Sequence, residues 1–159
     1  MGIFKRKKIT TAAVFTLTAM LTFTSMAFAE ETPTDKITVM LTGDLMCQRS
    51  QQLKAFDGTS YDFKPTFRYV KKIFDEAEIV IGNLETLVSE SLPLSKDMNL
   101  LQGKPYLNAP NEWLDALEYA GFDGLIMANN HACDGGKTGI IETLEELDRR
   151  GIPHTGLYR

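Results

Sequence analysis

The chain has 159 residues and a formal net charge of −4. Four of its seventeen basic residues and none of its twenty-one acidic residues precede Glu30, so the remainder carries a net charge of −8. A surface of that sign repels nucleic acid, which argues against a nucleic-acid partner.

The first 29 residues are typical of a secretory signal peptide. Residues 5–8 are all basic, residues 9–28 are mostly apolar but interrupted by Thr and Ser, and Ala27 and Ala29 are the small residues that a signal peptidase reads. We therefore expect cleavage after Ala29 and a secreted or cell-envelope-associated protein. The alternative is an uncleaved membrane anchor, because the apolar stretch is just long enough to cross a bilayer.

The rest of the chain is predicted to form one domain. Residues 30–36 are a short linker, and residues 37–159 contain no Gly/Ser-rich break, repeat or low-complexity tract. About 130 residues are enough for one small hydrophobic core.

The hydrophobic pattern predicts alternating strands and helices. Short β-branched or apolar runs predict buried strands, and apolar residues at spacings of three and four predict helices. Gly121 and Gly151 suit the left-handed positions past two helix ends, and Asn111 suits a helix N-cap. In chain order the prediction is a strand at 37–42, a helix at 63–74, a strand at 78–81, a loop at 89–110, a helix at 111–120, a strand at 122–128, a helix at 140–150 and a strand at 152–156.

The order βαβαβαβ predicts an α/β fold with a parallel sheet covered by helices, because crossovers between parallel strands are right-handed. Ligands of such sheets bind outside the carboxyl ends of the strands. Polar residues follow the first three predicted strands at that edge: Asp44; Asn83 and Glu85; and Asn129, Asn130, His131 and Asp134.

These polar clusters offer carboxylate oxygens, amide oxygens and an imidazole, which is the ligand mixture of a hydrolytic metal centre. A divalent ion there would activate water and polarise a phosphoryl or similar oxygen. Each residue also has a structural interpretation. Asp44, Asn83 and Glu85 suit turns and caps. Asn129 and Asn130 tolerate unusual backbone angles, and His131 suits a hydrogen-bonded loop.

At these clusters the sequence resembles the CapA family, the bacterial capsule and poly-γ-glutamate synthesis proteins. The resemblance covers essentially the whole of residues 37–159. Its most specific elements are the Asn-Leu-Glu of residues 83–85 and the Asn-Asn-His-x-x-Asp of residues 129–134. The other segments that carry it are Gly43 to Met46 with Arg49, Ile79 to Thr86, Ala120 to Asp123, Gly136, Gly139, Thr143 to Glu145 and Gly151 to Gly156.

The resemblance implies a metallophosphatase-like β-sandwich flanked by helices, of which this chain holds the N-terminal βαβαβαβ half. It implies that Asp44 is the first metal ligand and that Asn83 belongs to the metal site, at the place where the superfamily usually has its bridging Asp. Because Asn83 has no carboxylate, Glu85 is expected to bridge instead. It also implies that Asn130 binds the metal and that His131 is a general acid. Arg49 is expected to help hold an anionic substrate.

Two departures weaken the enzymatic interpretation. Met46 stands where the superfamily usually has a histidine, and methionine is a poor ligand for a hard ion. The histidines that complete the two-metal site lie in a second half that this sequence does not reach. We therefore expect residues 37–159 to be a C-terminally truncated CapA-like domain, and His154 to be structural.

Cys47 and Cys133 lie beside two of the polar clusters. They are too few for a disulfide framework, but an oxidising compartment would permit a bond between them if both loops converge on one edge. The alternative is that both are small buried apolar fillers.

Two functions follow from the sequence. One is a metal-dependent hydrolase or transferase that acts on an anionic extracellular polymer. The other is a non-catalytic accessory subunit of the polymer's synthesis machinery, or an inactive fragment. In both cases the expected partners are the polymer or that machinery, with the membrane surface as a further partner.

Overall fold

The computed structural model describes residues 36–99 and 104–159. The predicted signal peptide, and all of the predicted linker except Lys36, lie outside them. The strands are β1 (Val39–Asp44), β2 (Ile79–Asn83), β3 (Leu87–Val88), β4 (Lys96–Asn99), β5 (Lys104–Tyr106), β6 (Asn108–Ala109), β7 (Gly124–Ile126) and β8 (His154–Thr155). The helices are α1 (Arg49–Ala55), α2 (Lys64–Phe67), α3 (Lys71–Phe74), α4 (Glu112–Ala120) and α5 (Gly136–Arg150).

Among the described residues, no helix has both the length and the apolar content needed to span a bilayer.

The central sheet has four strands in the order β1-β2-β7-β8, and all three pairings are parallel. Met40 lies opposite Val80, and Gly82 lies opposite Leu125. Parallel pairing in this order requires a crossover between successive strands, and helices α1 to α5 lie within those crossovers. The predicted α/β class with a parallel sheet is confirmed.

Helix α4 covers the core side of the sheet as predicted. Leu114, Leu117 and Ala120 are all fully buried, and Gly121 ends the helix at a φ of 97°. Asn111 occupies the N-cap position, as predicted, but it does not cap the helix through its side chain. Its side chain makes no cap hydrogen bond, and Nδ2 donates instead to the Glu90 carboxylate.

The single helix predicted for residues 63–74 is wrong, because two short helices, α2 and α3, occupy this segment. Phe67 packs against Trp113 and Phe122, and Phe74 also packs against Phe122. Val70, between them, is 37% exposed. The phenylalanines therefore enter the core as predicted, but Val70 does not share their buried face.

The loop predicted for residues 89–110 is also wrong, since it contains β4, β5 and β6. The Asn108 side chain, fully buried, organises this region. Its Nδ2 donates to the carbonyls of Ser89, Leu92 and Pro93, and its Oδ1 accepts from the Ser89 amide. These side-chain hydrogen bonds satisfy backbone carbonyl and amide groups that a longer pair of strands would otherwise satisfy.

Helix α1 was not predicted, because its sequence is polar and lacks an apolar period. Its start is capped by Gln48 and Gln51, with the Gln48 amide donating to Gln51 Oε1 at 2.7 Å. Gln52 is 4% exposed and donates from Nε2 to the Asn108 carbonyl at 2.9 Å. Buried polar contacts therefore hold this helix in place of an apolar face.

The opposite face of the sheet is open within the described residues. Val39, Leu41 and Ile126 are 53%, 74% and 39% exposed, whereas Val80 and Leu125 are buried under the helices. One covered and one open face match the expected half of a sandwich.

Candidate functional site at the carboxyl edge of the sheet

The strand ends bring the predicted polar residues to one edge. β1 ends at Asp44 and β2 at Asn83, and these two residues lie directly opposite each other after an irregularity in the ladder. Ile126, the last residue of β7, lies opposite Asn83 on its other side. The loops that follow these strands therefore start side by side, as the sequence predicts.

A run of amide hydrogen bonds connects the three loops. Asn83 Nδ2 donates to Asp44 Oδ1 at 2.7 Å, and Asn83 Oδ1 accepts from Asn129 Nδ2 at 3.1 Å. Asn129 Nδ2 also donates to the Leu84 carbonyl at 2.9 Å. Both amide atoms of Asn83 are thus engaged by neighbouring side chains, and they orient the Asp44 carboxylate.

His131 is held through both its backbone and its ring. The residue is 4% exposed. Its backbone N–H donates to Asn129 Oδ1 at 3.0 Å, and ring atom Nδ1 lies 2.7 Å from Asp134 Oδ2. Asp134 Oδ2 also accepts from the Leu107 amide at 2.8 Å. A carboxylate only accepts hydrogen bonds, so we assign the proton to Nδ1, which leaves Nε2 for the site.

Glu85 lies on the other side of the imidazole. Its side chain is 8% exposed, and Oε1 is 3.9 Å from His131 Nε2. Burial, and then the hydrogen bond and negative charge of Asp44, raise the pKa of Glu85 above its ordinary value, while His131 opposes the shift. The carboxyl therefore keeps its proton more readily than an exposed glutamate does.

The charges of the site favour a divalent cation. The neighbouring carboxylates of Asp44 and Glu85 repel each other, which contributes to the raised pKa of Glu85, and a cation relieves that repulsion. Mg²⁺ is commonly held by one or two carboxylates together with water and substrate oxygens. Within residues 36–99 and 104–159, however, no three His, Cys, Asp or Glu side chains group as a metal site. Asp44 and Glu85 therefore suit an ion that takes most of its ligands from water and substrate oxygens.

The remaining predicted site residues are Arg49 and Asn130. Arg49 is the first residue of α1 and Asn130 precedes His131, and both are exposed. Their roles in holding substrate and metal stay predictions. His154 is half-buried with Nδ1 at 2.9 Å from the Ile152 carbonyl, which agrees with the structural role expected of it.

The two cysteines are separate free thiols. Cys47 is fully buried, and burial raises the pKa of its thiol to about 12, so the filler interpretation holds for it. Cys133 is exposed, so it is neither a buried filler nor a partner of Cys47 in this structure.

Two residues of the site received no separate role from the sequence. Asn129 and Asp134 were noted only as members of the third polar cluster, yet one joins the loops and the other fixes the imidazole tautomer. The available signal was the spacing of three between His131 and Asp134, which within one turn of chain brings an imidazole and a carboxylate together.

Comparison with known families decides the identity of the chain. The family model for the bacterial capsule synthesis protein PGA_cap matches residues 38–159. The chain belongs to the PGA_cap family of capsule synthesis proteins. The matched range includes every residue of the site, and the mixed α/β structure is consistent with a partial metallophosphatase-like CapA domain.

Relatives of this PGA_cap chain include two CapA proteins. The capsule biosynthesis protein CapA of Bacillus anthracis is 29% identical over 123 residues, which cover 77% of this chain and 28% of that protein. The PGA biosynthesis protein CapA of Bacillus subtilis is 29% identical over 122 residues, which cover 77% of this chain and 30% of that protein. An uncharacterised protein of Sinorhizobium fredii, y4sH, is 28% identical over 123 residues, 77% of this chain and 25% of that protein. The chain therefore spans less than a third of the length of these relatives.

Proposed function

We propose that this PGA_cap chain works outside the cytoplasm in the synthesis or export of an anionic polymer of the poly-γ-glutamate type, as a metal-dependent hydrolase or transferase. The observation that carries the proposal is the pair of buried side chains Glu85 and His131, 3.9 Å apart at the carboxyl edge of the sheet, with the charge of Asp44 close enough to raise the pKa of Glu85. A buried carboxyl with a raised pKa beside an imidazole is typical of a catalytic site. The polymer is taken from the name of the Bacillus subtilis relative, a PGA biosynthesis protein, and the name of the Bacillus anthracis relative refers to capsule biosynthesis.

In this proposal Asp44 and Glu85 hold a divalent ion. When bound, such an ion supplies a Lewis acid that polarises a substrate oxygen and activates water. His131 donates a proton from Nε2 to the leaving oxygen, because Asp134 occupies Nδ1. Asp134 holds the ring through Nδ1, so that Nε2 is directed to the substrate, and Arg49 holds the anionic group of the substrate.

Calorimetric titration of the full chain with Mn²⁺ tests the metal site. Wild type should bind the ion, and Asp44→Ala should weaken the affinity by about tenfold or more, because one of two charged ligands is removed. Asp148→Ala removes an exposed carboxylate that pairs with Arg159 and should leave the affinity unchanged. Equal affinities in wild type and Asp44→Ala would contradict the site.

A non-catalytic accessory role is the second candidate. It is favoured by Met46 in place of a ligand, and by the lack of any three-residue metal cluster within residues 36–99 and 104–159. Under this role the fold serves as a scaffold or polymer-binding surface. Polymer output would then be abolished by deletion of the gene and unchanged by Asp44→Ala and His131→Ala.

A further inference from the structure

The charges of the chain are divided between two regions. Residues 49–72 carry six basic and two acidic side chains, whereas residues 73–159 carry six basic and fifteen acidic ones. The basic segment contains α1, α2 and the start of α3. A domain that is acidic overall therefore has one positive region, and such a region attracts anions.

Within this region, α1 and α2 border a groove of about 520 Å³. Lys54 of α1 and Arg68, directly after α2, line it together with Asp62 and the polar side chains of Gln51 and Thr66. The groove therefore offers two cations and neutral hydrogen-bonding groups. Asp62, the one carboxylate among the described residues that line the groove, already accepts a hydrogen bond from the Lys64 amide at 3.0 Å.

The walls of the groove are fixed by packing. The Asp62 amide donates to the Ala55 carbonyl at 3.0 Å, which joins the end of α1 to the start of α2. The ring of Tyr61 packs on those of Phe56 and Phe63, with centroid distances of 4.9 and 5.8 Å. The Arg68 guanidinium lies 4.4 Å above the Tyr69 ring. The contact with Tyr69 already restricts Arg68, so binding costs this cation less entropy than it costs a freely moving surface side chain.

We propose that this groove, with Lys54 and Arg68 on its walls, binds a carboxylate-bearing polymer chain. The proposal rests on the proposed function for the identity of the polymer. It adds a binding surface that is separate from the candidate functional site at the carboxyl edge of the sheet. An extended polyanion has a charge in every repeat, so Lys54 and Arg68 contact carboxylates in the groove while Lys64 and Lys72 contribute to the surrounding positive potential.

The test is binding of full-chain protein to poly-γ-glutamate of defined length in low salt and with EDTA, so that no metal site contributes. Wild type should bind, and Lys54→Gln with Arg68→Gln should weaken the affinity by about tenfold, because two charge-assisted contacts are lost. Lys137→Gln with Arg159→Gln removes the same charge from the acidic region and should stay within about twofold of wild type. Thermal unfolding confirms that all variants are folded.

Three outcomes would overturn the groove proposal: no binding by wild type, equal losses of affinity in both double variants, or binding only to phosphatidylglycerol vesicles through the same residues. None of these outcomes decides the proposed function, which is tested separately. Polymer output that falls in Asp44→Ala, while the groove variant binds polymer as wild type does, refutes the groove alone. Normal output in Asp44→Ala with weakened binding in the groove variant refutes the metal-dependent enzyme alone.

Discussion

Asp134 is the residue that connects the site to the rest of the fold. One oxygen, Oδ2, accepts from His131 Nδ1 and from the Leu107 amide, and the side chain is 1% exposed. The same carboxylate therefore fixes the imidazole tautomer and ties the segment before β6 to the site. A buried acceptor with two donors is costly to replace.

We expect Asp134→Asn to lower the free energy of unfolding by about 1–3 kcal/mol, since two hydrogen bonds to a buried carboxylate are replaced by weaker bonds to a neutral amide. It should also change the tautomer of His131, because a side-chain amide donates as well as accepts. Urea unfolding and ¹⁵N NMR of the imidazole measure the two effects. Asp148→Asn, at an exposed position, is the control. An unchanged tautomer would contradict the positioning role of Asp134.

Sequence reasoning located most of the cluster but not its internal bonds. Asp44, Asn83, Glu85 and His131 were predicted to meet because strand order alone brings their loops to one edge. The engagement of Asn83 by two side chains was not predictable, since it depends on loop conformations that no pattern encodes. The exposure of Cys133 was unpredictable for the same reason.

At the scale of elements, β8 supports the loop that carries the site asparagines. Gly156 follows β8 with a φ of 100°, and a Cβ there would lie 2.6 Å from the Ala128 backbone nitrogen. Ala128 directly precedes Asn129. Close approach of two backbones at this point therefore requires glycine.

Gly156→Ala should lower the free energy of unfolding by about 2–4 kcal/mol, through left-handed strain and the clash with Ala128. Gly58→Ala is the matched control, because Gly58 has a φ of 105° but nothing within 4 Å of its Cβ position. Its loss should be about 1–2 kcal/mol, from the backbone strain alone. Equal losses in chemical unfolding of the two variants would show that the contact with Ala128 is unimportant.

Helix α5 is joined to β3 through Thr143. The hydroxyl, fully buried, donates to the Gly139 carbonyl at 2.6 Å and accepts from the Val88 amide at 2.9 Å. Thr143→Val should destabilise by about 1–3 kcal/mol because the Val88 amide loses its acceptor. Thr143→Ser should recover most of this loss, and the exposed Thr138→Val should change stability by less than about 0.5 kcal/mol. A Ser variant as unstable as the Val variant would assign the effect to packing.

Elements held by apolar packing could be predicted from the sequence, whereas elements held by polar contacts could not. Helix α4 was predictable because it has an apolar stripe that is buried. Helix α1 was not, because Gln52 and its cap replace that stripe. The segment at 63–74 has the period of one buried helix face, but it forms two short helices and leaves Val70 37% exposed.

At the scale of the whole molecule, ion pairs link α5 to α4. Glu146 accepts from Arg149 and Arg150, and Arg150 also contacts Asp115 and Glu118 of α4. The Arg149 guanidinium, and then Arg150, hold the pKa of Glu146 at about 2, below its ordinary 4.5. Because the folded pKa is depressed, this stabilisation is present above pH 4.5 and is lost as the pH falls through 2.

Glu146→Gln should therefore lower the free energy of unfolding by about 1 kcal/mol at pH 7, with the difference from wild type shrinking as the pH falls below 4.5. Urea unfolding at a series of pH values measures this. Glu145→Gln, at the exposed neighbouring position, should show no such dependence. A Glu146→Gln deficit that stayed constant down to pH 2.5 would refute the assignment.

The parallel sheet and its single covered face were predictable because alternation of strands and helices fixes the topology. The net charge and its division into a basic stretch at residues 49–72 and an acidic remainder can both be counted from the sequence. That α1 and α2 of the basic stretch border one groove is seen only in the structure.

The central claim is that the buried cluster around Glu85 acts in polymer production. Its most direct test is the amount of poly-γ-glutamate made by cells whose own gene is replaced by wild type, Glu85→Gln or the exposed Glu90→Gln, at equal protein levels. We predict that Glu85→Gln lowers output by about tenfold or more and that Glu90→Gln does not. Wild-type output from Glu85→Gln would contradict the claim.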